Sequence, residues 1–274
     1  MEDILPALGA ALIWAYASVA YRDYVGRIGV LRLNFLRMLY TSLALLAPAV
    51  YLGLGRGALY AALSGVLSLA LGDSLYLKAL GTAGVSVAVP AAYSYIILEQ
   101  FMAVPLGEPL RASYLAAAVL VVFGVYLLAA GAGRGSLAGV LYALGAALAW
   151  SAGYAAVKVA GVSGVGPIPI AFARVVAALP VLAVLGGARG AGQAVRETWR
   201  SALPVIAVLD LGGGAALFAY STVEIGLGPT VIALGAVPLA SQLISRALGR
   251  ERPTLREYAA ALLILSAIAI SFYT

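Results

Sequence analysis

Apolar residues run through this chain in long, nearly unbroken stretches. They show neither the strict alternation of a half-buried strand nor the three-four spacing of a helix lying on a water-soluble core. Ten stretches follow one another, at about 4–22, 31–53, 58–79, 84–105, 112–131, 136–158, 166–187, 201–222, 227–248 and 255–273. A hydrocarbon layer of about 30 Å needs roughly 20 apolar residues in a helix, so the pattern predicts an all-α integral membrane protein with ten transmembrane helices. The breaks carry turn residues: Arg22-Asp23, residues 53–57, Gly81-Thr82-Ala83-Gly84, Gly107-Glu108-Pro109 and, longest, Ala188 to Arg200. The first stretch follows Glu2 and Asp3 rather than a basic segment, and no small-residue cleavage site follows it, so it reads as a retained helix.

Composition supports a lipid solvent. Of 274 residues, 64% are hydrophobic and 10% charged, too little polar surface to clothe a soluble globule of this size. There is no Cys and no His, which removes disulfides, thiolate chemistry, the usual imidazole acid-base group and the commonest metal ligand. No cofactor and no metal are expected, and an enzyme active site is not indicated. The net charge of +6 sits in loops between spans, where topology and lipid headgroups explain it better than nucleic acid does.

The chain also repeats itself. Ala10-Ala11-Leu12-Ile13-Trp14-Ala15-Tyr16 is matched by Ala146-Ala147-Leu148-Ala149-Trp150-Ser151-Ala152. Arg37 follows Trp14 by 23 residues and Arg174 follows Trp150 by 24. Leu106-Gly107-Glu108-Pro109 precedes the fifth stretch as Gly249-Arg250-Glu251-Arg252-Pro253 precedes the tenth, and Gly84 and Gly228 open the fourth helix of each half. The predicted units are residues 1–132 and 133–274. With five spans each, the second enters the membrane in the opposite sense, the inverted repeat typical of transporters.

A Trp in helix one, an Arg in helix two, a Gly before helix four and a Gly-Glu or Arg-Glu turn before helix five, twice in order, resemble the EamA-type drug/metabolite transporter superfamily. The run from Gly72-Asp73-Ser74 to Val89-Pro90 looks like an archaeal-type branch. The resemblance spans essentially the whole chain and implies secondary transport of small metabolites, with amino-acid export as the leading expectation. It departs from the family pattern at helix four. Pro238 is in place in the second half, whereas Tyr95 stands at that distance from Glu108 in the first, with Pro90 earlier. The two fourth helices are therefore expected to bend at different depths.

Sorting loops by parity puts Arg22, Arg27, Arg134, Arg189, Arg196, Arg200, Arg250, Arg252 and Arg256 on one face, against Arg56, Arg111 and Lys158 on the other. The Arg-rich face is expected to be cytoplasmic, with both termini outside; the family resemblance implies cytoplasmic termini instead. The cell membrane is the expected location, and the sequence is compatible with a monomer.

An ionisable group deep in a span costs at least a few kcal/mol, so it should face a cavity or a partner. Arg37 and Arg174 are candidates to bind a substrate carboxylate or phosphate through the planar guanidinium, or else to snorkel or tie helices together. Asp73, with Tyr76 about one turn on, is either a protonatable or cation-pairing carboxylate or one member of an ion pair with Arg37, Arg174 or Lys78. Asp210 looks like its mate counted from the helix-two Arg but not counted from Gly84 and Gly228, so the two are not treated as symmetry-related. Glu99 follows Tyr93, Ser94 and Tyr95, and these phenols, with Trp14 and Trp150, suit an amphipathic solute in a half-wet cavity; helix packing is their alternative role. Glu108 and Glu251 are read as helix N-terminal caps or turn ligands.

Together these residues predict a polar central cavity between the halves. The expected function is secondary transport by alternating access of zwitterionic or anionic solutes. Proton coupling is allowed, and the absence of Gly-x-x-x-x-Gly-Lys-Ser/Thr leaves no P-loop for ATP. The alternatives are organophosphate or nucleotide-sugar exchange, favoured if both arginines meet one anion, and, from other classes, a lipid-modifying enzyme or a receptor without flux.

Overall fold

The computed structural model describes residues 4–83, 85–129, 136–247 and 255–273. Gly84, Arg134 and the turn containing Arg250, Glu251 and Arg252 lie outside the described residues. The helices are α1 (Leu5–Ile28), α2 (Val30–Leu52), α3 (Ala58–Ala83), α4 (Val85–Tyr93), α5 (Tyr95–Met102), α6 (Ala112–Ala129), α7 (Leu137–Val162), α8 (Pro167–Val184), α9 (Ala191–Thr198), α10 (Leu203–Glu224), α11 (Leu227–Leu234), α12 (Val237–Ala247) and α13 (Leu255–Tyr273). Among the described residues there is no strand.

Among the described residues six stretches are long and apolar enough to cross a membrane: α2, α3, α7, α8, α10 and Leu227–Ile244. Shorter apolar stretches lie in α1, α6 and α13. The surface is inverted relative to a soluble protein. Leu12, Leu43, Val50, Leu141, Leu148 and Leu262 face outward, while Asn34, Glu99, Gln100, Arg174 and Asp210 are buried. Exposed apolar surface on this scale marks contact with lipid, and a multi-pass helical membrane protein is the class it defines.

Packing pairs the helices in a regular scheme. α2 lies along α8, and α6 along α13. α3 packs on α7 as α10 packs on α1; α4 and α5 pack on α7 as α11 and α12 pack on α1. Small residues set the spacing: a Cβ on Gly124 would come 2.7 Å from Ile264, and one on Gly153 would come 2.7 Å from Ser68.

Two features bend the regular ladders. α3 and α10 each contain a wider π-helical stretch, Gly65–Gly72 and Val208–Gly214. The breaks in the fourth-type helices, contrary to expectation, fall at equivalent places. The α4–α5 ladder is interrupted at Ser94, whose hydroxyl donates to the Ala91 carbonyl. The α11–α12 ladder is interrupted at Gly235–Ala236, just ahead of Pro238, which has no N–H to give. Positions 94 and 236 share the offset that relates Gly72 to Gly214. Sequence comparison of the prolines misjudged the depth because in the first half a serine turn, several residues past Pro90, makes the break.

The longest break folds in part. α9 buries Ala194 and Thr198 and exposes Arg196 and Glu197, and the exposed Trp199 follows it. Tyr40 bonds Thr198 at 2.7 Å, Tyr24 donates to Ser201 and Arg32 donates to the Arg189 carbonyl, so this Arg-bearing segment is fastened to the α1–α2 end of the bundle. Such an amphipathic helix fits the headgroup boundary.

Candidate functional site

The two π-helical stretches face the two tryptophans. A Cβ on Gly72 would lie 2.6 Å from Trp150, and one on Gly214 would lie 2.6 Å from Trp14, so only glycine lets the indoles come this close to these turns. Each indole is then used. Trp150 Nε1 donates to Asp73 Oδ1 at 3.1 Å, and Trp14 Nε1 donates to the Asp210 carbonyl at 3.2 Å.

Arg37 stands between the two carboxylates. Its Nη2 donates to Asp210 Oδ2 at 2.7 Å, its Nη1 donates to Asn34 Oδ1 at 3.0 Å, and Asp73 Oδ2 lies 4.0 Å from Nη1. Tyr21 adds a hydrogen bond to Asp210 Oδ2 at 2.8 Å, and its ring lies beneath the guanidinium at 4.6 Å. The primary ion pair is thus Arg37–Asp210, across the two halves. Asp73 is a looser second neighbour, fixed by Trp150. Lys78, expected as one of its partners, is exposed and lies over the Tyr142 ring instead.

Arg174 is only 2% exposed. Its Nη2 donates to Ser68 Oγ at 3.0 Å, while its Nε and Nη1 have no hydrogen-bond partner among the described residues. Glu99 is also fully buried, and both of its carboxyl oxygens lack a partner among the described residues. A buried polar atom without a partner costs about 1–3 kcal/mol, so these groups are not explained by stability.

Aromatic rings join these groups. Trp14 contacts Phe218, Phe218 contacts Tyr154, Tyr154 contacts Tyr95, and Tyr95 meets both Trp150 and Tyr93. Tyr76 lies against Trp150 at 5.0 Å. Tyr154, at the middle, is within electrostatic range of Arg174, Asp73, Glu99 and Asp210. All ten residues singled out in the sequence therefore belong to one buried aromatic and charged cluster or adjoin it. The sequence reading missed Tyr21, Asn34, Ser68, Tyr154 and Phe218. Tyr21 was legible as the residue two turns after Trp14, and Tyr154 as the residue one turn after Trp150.

Glu108 is a cap, but not of the helix that follows it. Oε1 accepts from the Leu227 N–H at 2.6 Å, Oε2 accepts from the Gly228 N–H at 3.1 Å, and Lys158 Nζ lies 3.3 Å from Oε1. The carboxylate thus sits at the start of α11, in the other half, where helix dipole and free N–H groups favour it. A Cβ on Gly226 would press on Oε2 at 2.8 Å. Lys158, which sequence placed in a loop, is buried and also donates to the Thr222 carbonyl at 2.6 Å.

Two apolar grooves lie away from this cluster on the lateral surface. One, of about 460 Å³, is lined by Tyr40, Leu43, Trp199 and Val208; the other, of about 490 Å³, by Leu45, Pro167, Gly213 and Tyr220.

A bundle of apolar helices with buried arginines, carboxylates and contacting aromatic rings at its centre is a multi-pass membrane protein with a polar interior. The EamA-like transporter family model matches residues 3–130 and again residues 137–273. The chain belongs to the EamA-like transporter family, within the drug/metabolite transporter superfamily. An uncharacterized transporter from Archaeoglobus fulgidus is 32% identical over 158 residues, covering 55% of this chain and 56% of that protein. The match thus spans little over half of that relative's length. A solved crystal structure at 22% identity superposes with a TM-score of 0.75 over 99% of this chain and 96% of the other, a likeness of fold.

Proposed function

We propose that this chain is a secondary transporter that moves small metabolites across the cell membrane by alternating access, with export of amino acids or related zwitterionic and anionic solutes as its work. The observation that carries the reading is the central cluster, in which buried arginines, the half-buried Asp73 and Glu99, whose carboxyl has no partner among the described residues, lie together with Trp14, Trp150, Tyr76, Tyr93 and Tyr95. Cations, carboxylates and amphipathic rings together suit a solute bearing both an anionic group and an amine.

The reading includes ten spans in two inverted five-helix units, residues 1–132 and 133–274. The reciprocal packing of α3 on α7 and α10 on α1, and of α2 on α8, supports it. The π-helical stretches and the breaks at Ser94 and Gly235–Ala236 supply places where one unit can rock against the other. Exchange of organophosphates or nucleotide sugars calls for both arginines on one anion. Arg37 is already held by Asp210, so the zwitterion reading stands first. The Arg-rich face, to which the fastening of α9 contributes Arg196 and Arg200, is the proposed cytoplasmic face; a reporter on Thr274 reachable only from the cytoplasm would reverse this orientation.

The test is counterflow into proteoliposomes of purified protein, with labelled amino acids, organic acids, organophosphates and nucleotide sugars, with and without a pH gradient. Saturable, protein-dependent flux of amino acids is the expected result. Flux of organophosphates alone would replace the substrate assignment, and silence across the panel would refute the transport reading for these classes.

A further inference from the structure

The two halves hold matching arginines in matching places but answer them with different groups. Arg37 meets Asp210 in the π-helical stretch of α10, and Arg174 meets Ser68 in the π-helical stretch of α3. Ser68 and Asp210 each precede by four residues the glycine that seats the opposing indole, so they occupy the same position in their helices. Where one arginine has a carboxylate, the other has a hydroxyl.

The consequence for Arg174 is a charge left unanswered. The Ser68 hydroxyl gives its own proton to the Ser64 carbonyl at 2.7 Å, so it offers the arginine a lone pair and no charge. Asp73 and Asp210 act on Arg174 only through space. Two guanidinium nitrogens remain without an acceptor among the described residues in a side chain 2% exposed. One turn before Ser68, the fully buried Ser64 hydroxyl is likewise without a partner among the described residues. Desolvated N–H groups on a cation are satisfied best by an anion, through charge-assisted hydrogen bonds. Asp210 is that anion for Arg37, and among the described residues no carboxylate pairs with Arg174.

We propose that the free Nε and Nη1 of Arg174 receive the anionic group of the transported solute, a carboxylate or a phosphate, and that Arg37, neutralised by Asp210, ties the two halves together. This rests on the transport reading above and divides the work between two residues that the sequence makes look equivalent. The nearby Asp73 is then the group that meets the amine of a zwitterion.

The test uses full-length protein in detergent and follows its melting temperature in sodium acetate and in sodium phosphate, against sodium chloride at equal ionic strength. At about ten times Kd the preferred anion is expected to raise Tm by roughly 3–6 °C over chloride. In Arg174→Gln the rise should vanish. In Ser68→Asp, which builds the missing carboxylate into the chain, Tm without added anion should increase and the response to acetate and phosphate should vanish. If Arg174→Gln does not fold, Ser68→Asp decides alone. Equal responses of the wild type to all three salts, or a rise that survives in either variant, would overturn the proposal. Counterflow separates it from the reading beneath it: an Arg174-dependent rise without flux leaves the anion site standing and removes transport, whereas flux at the wild-type rate in Arg174→Gln removes the site and leaves transport.

Discussion

Replacing Asp210 by Asn should be among the more damaging single changes in the bundle, and replacing Asp73 by Asn among the milder ones, although both carboxylates adjoin Arg37. Asp210 makes a direct 2.7 Å pair with Arg37, with side chains 6% and 17% exposed. Breaking a buried pair by removing one partner costs about 3–5 kcal/mol, because the remaining charge loses its counter-ion. The Asn carbonyl can still accept from Tyr21, which puts Asp210→Asn near the lower end, about 3 kcal/mol. At about 2–4 °C per kcal/mol for a chain of this size, Tm should fall by roughly 6–12 °C. Asp73 stands 4.0 Å from Arg37, and in Asp73→Asn the amide oxygen keeps the Trp150 hydrogen bond while Arg37 keeps Asp210. Its cost should stay near about 1 kcal/mol or below. Melting curves of both variants, extended to double-mutant cycles with Arg37→Gln, give the coupling energies directly. An Asp73→Asn variant less stable than Asp210→Asn would refute this assignment of partners.

Glu108→Gln removes the charge that faces Lys158 and the start of α11 and leaves one acceptor for two N–H groups; a loss of about 2–3 kcal/mol is expected, read as a lower Tm, and a change under 0.5 kcal/mol would contradict the capping role. Gly72→Ala and Gly214→Ala each drive a methyl group into an indole and should cost about 1–3 kcal/mol, with Trp fluorescence shifted; unchanged melting and emission would show that the rings do not rest on these turns. Glu99→Met replaces a buried carboxyl without partners among the described residues by an apolar side chain of similar size and should raise Tm by a few degrees while reducing flux. A Tm decrease would mean that the carboxyl is bonded structurally and is not held for function.

The helices were legible because lipid demands uniform apolar runs, and no competing pattern obscures them. The central residues were legible by type alone: an Arg, Asp or Glu deep in such a run has few uses. Their pairing was not. Arg37 answers Asp210 across 173 residues, and Asp210 lies inside the π-helical stretch of α10 whereas Asp73 follows that of α3, a difference that the residues of Gly65–Gly72 and Val208–Gly214 do not announce. Glu108 was read correctly as a cap, but a local rule names the following helix as its target, and the true target is 119 residues away. α9 did carry a helical pattern in Ala191, Ala194, Val195 and Thr198; its brevity let it pass as loop.

The Arg37–Asp210 pair also sets a timetable for biogenesis. At a synthesis rate of about 5–20 residues per second, the segment bearing Arg37 leaves the ribosome roughly 9–35 s before Asp210 does. During that interval the nascent α2 carries a guanidinium toward the membrane without its eventual counter-ion. The first acidic side chain made after Arg37 is Asp73, so of the two carboxylates beside Arg37 in the folded bundle the secondary one is the first to reach it. Insertion of the first half is thus expected to stall in Arg37-dependent fashion when Asp73 is neutralised, at a stage when loss of Asp210 cannot yet be felt.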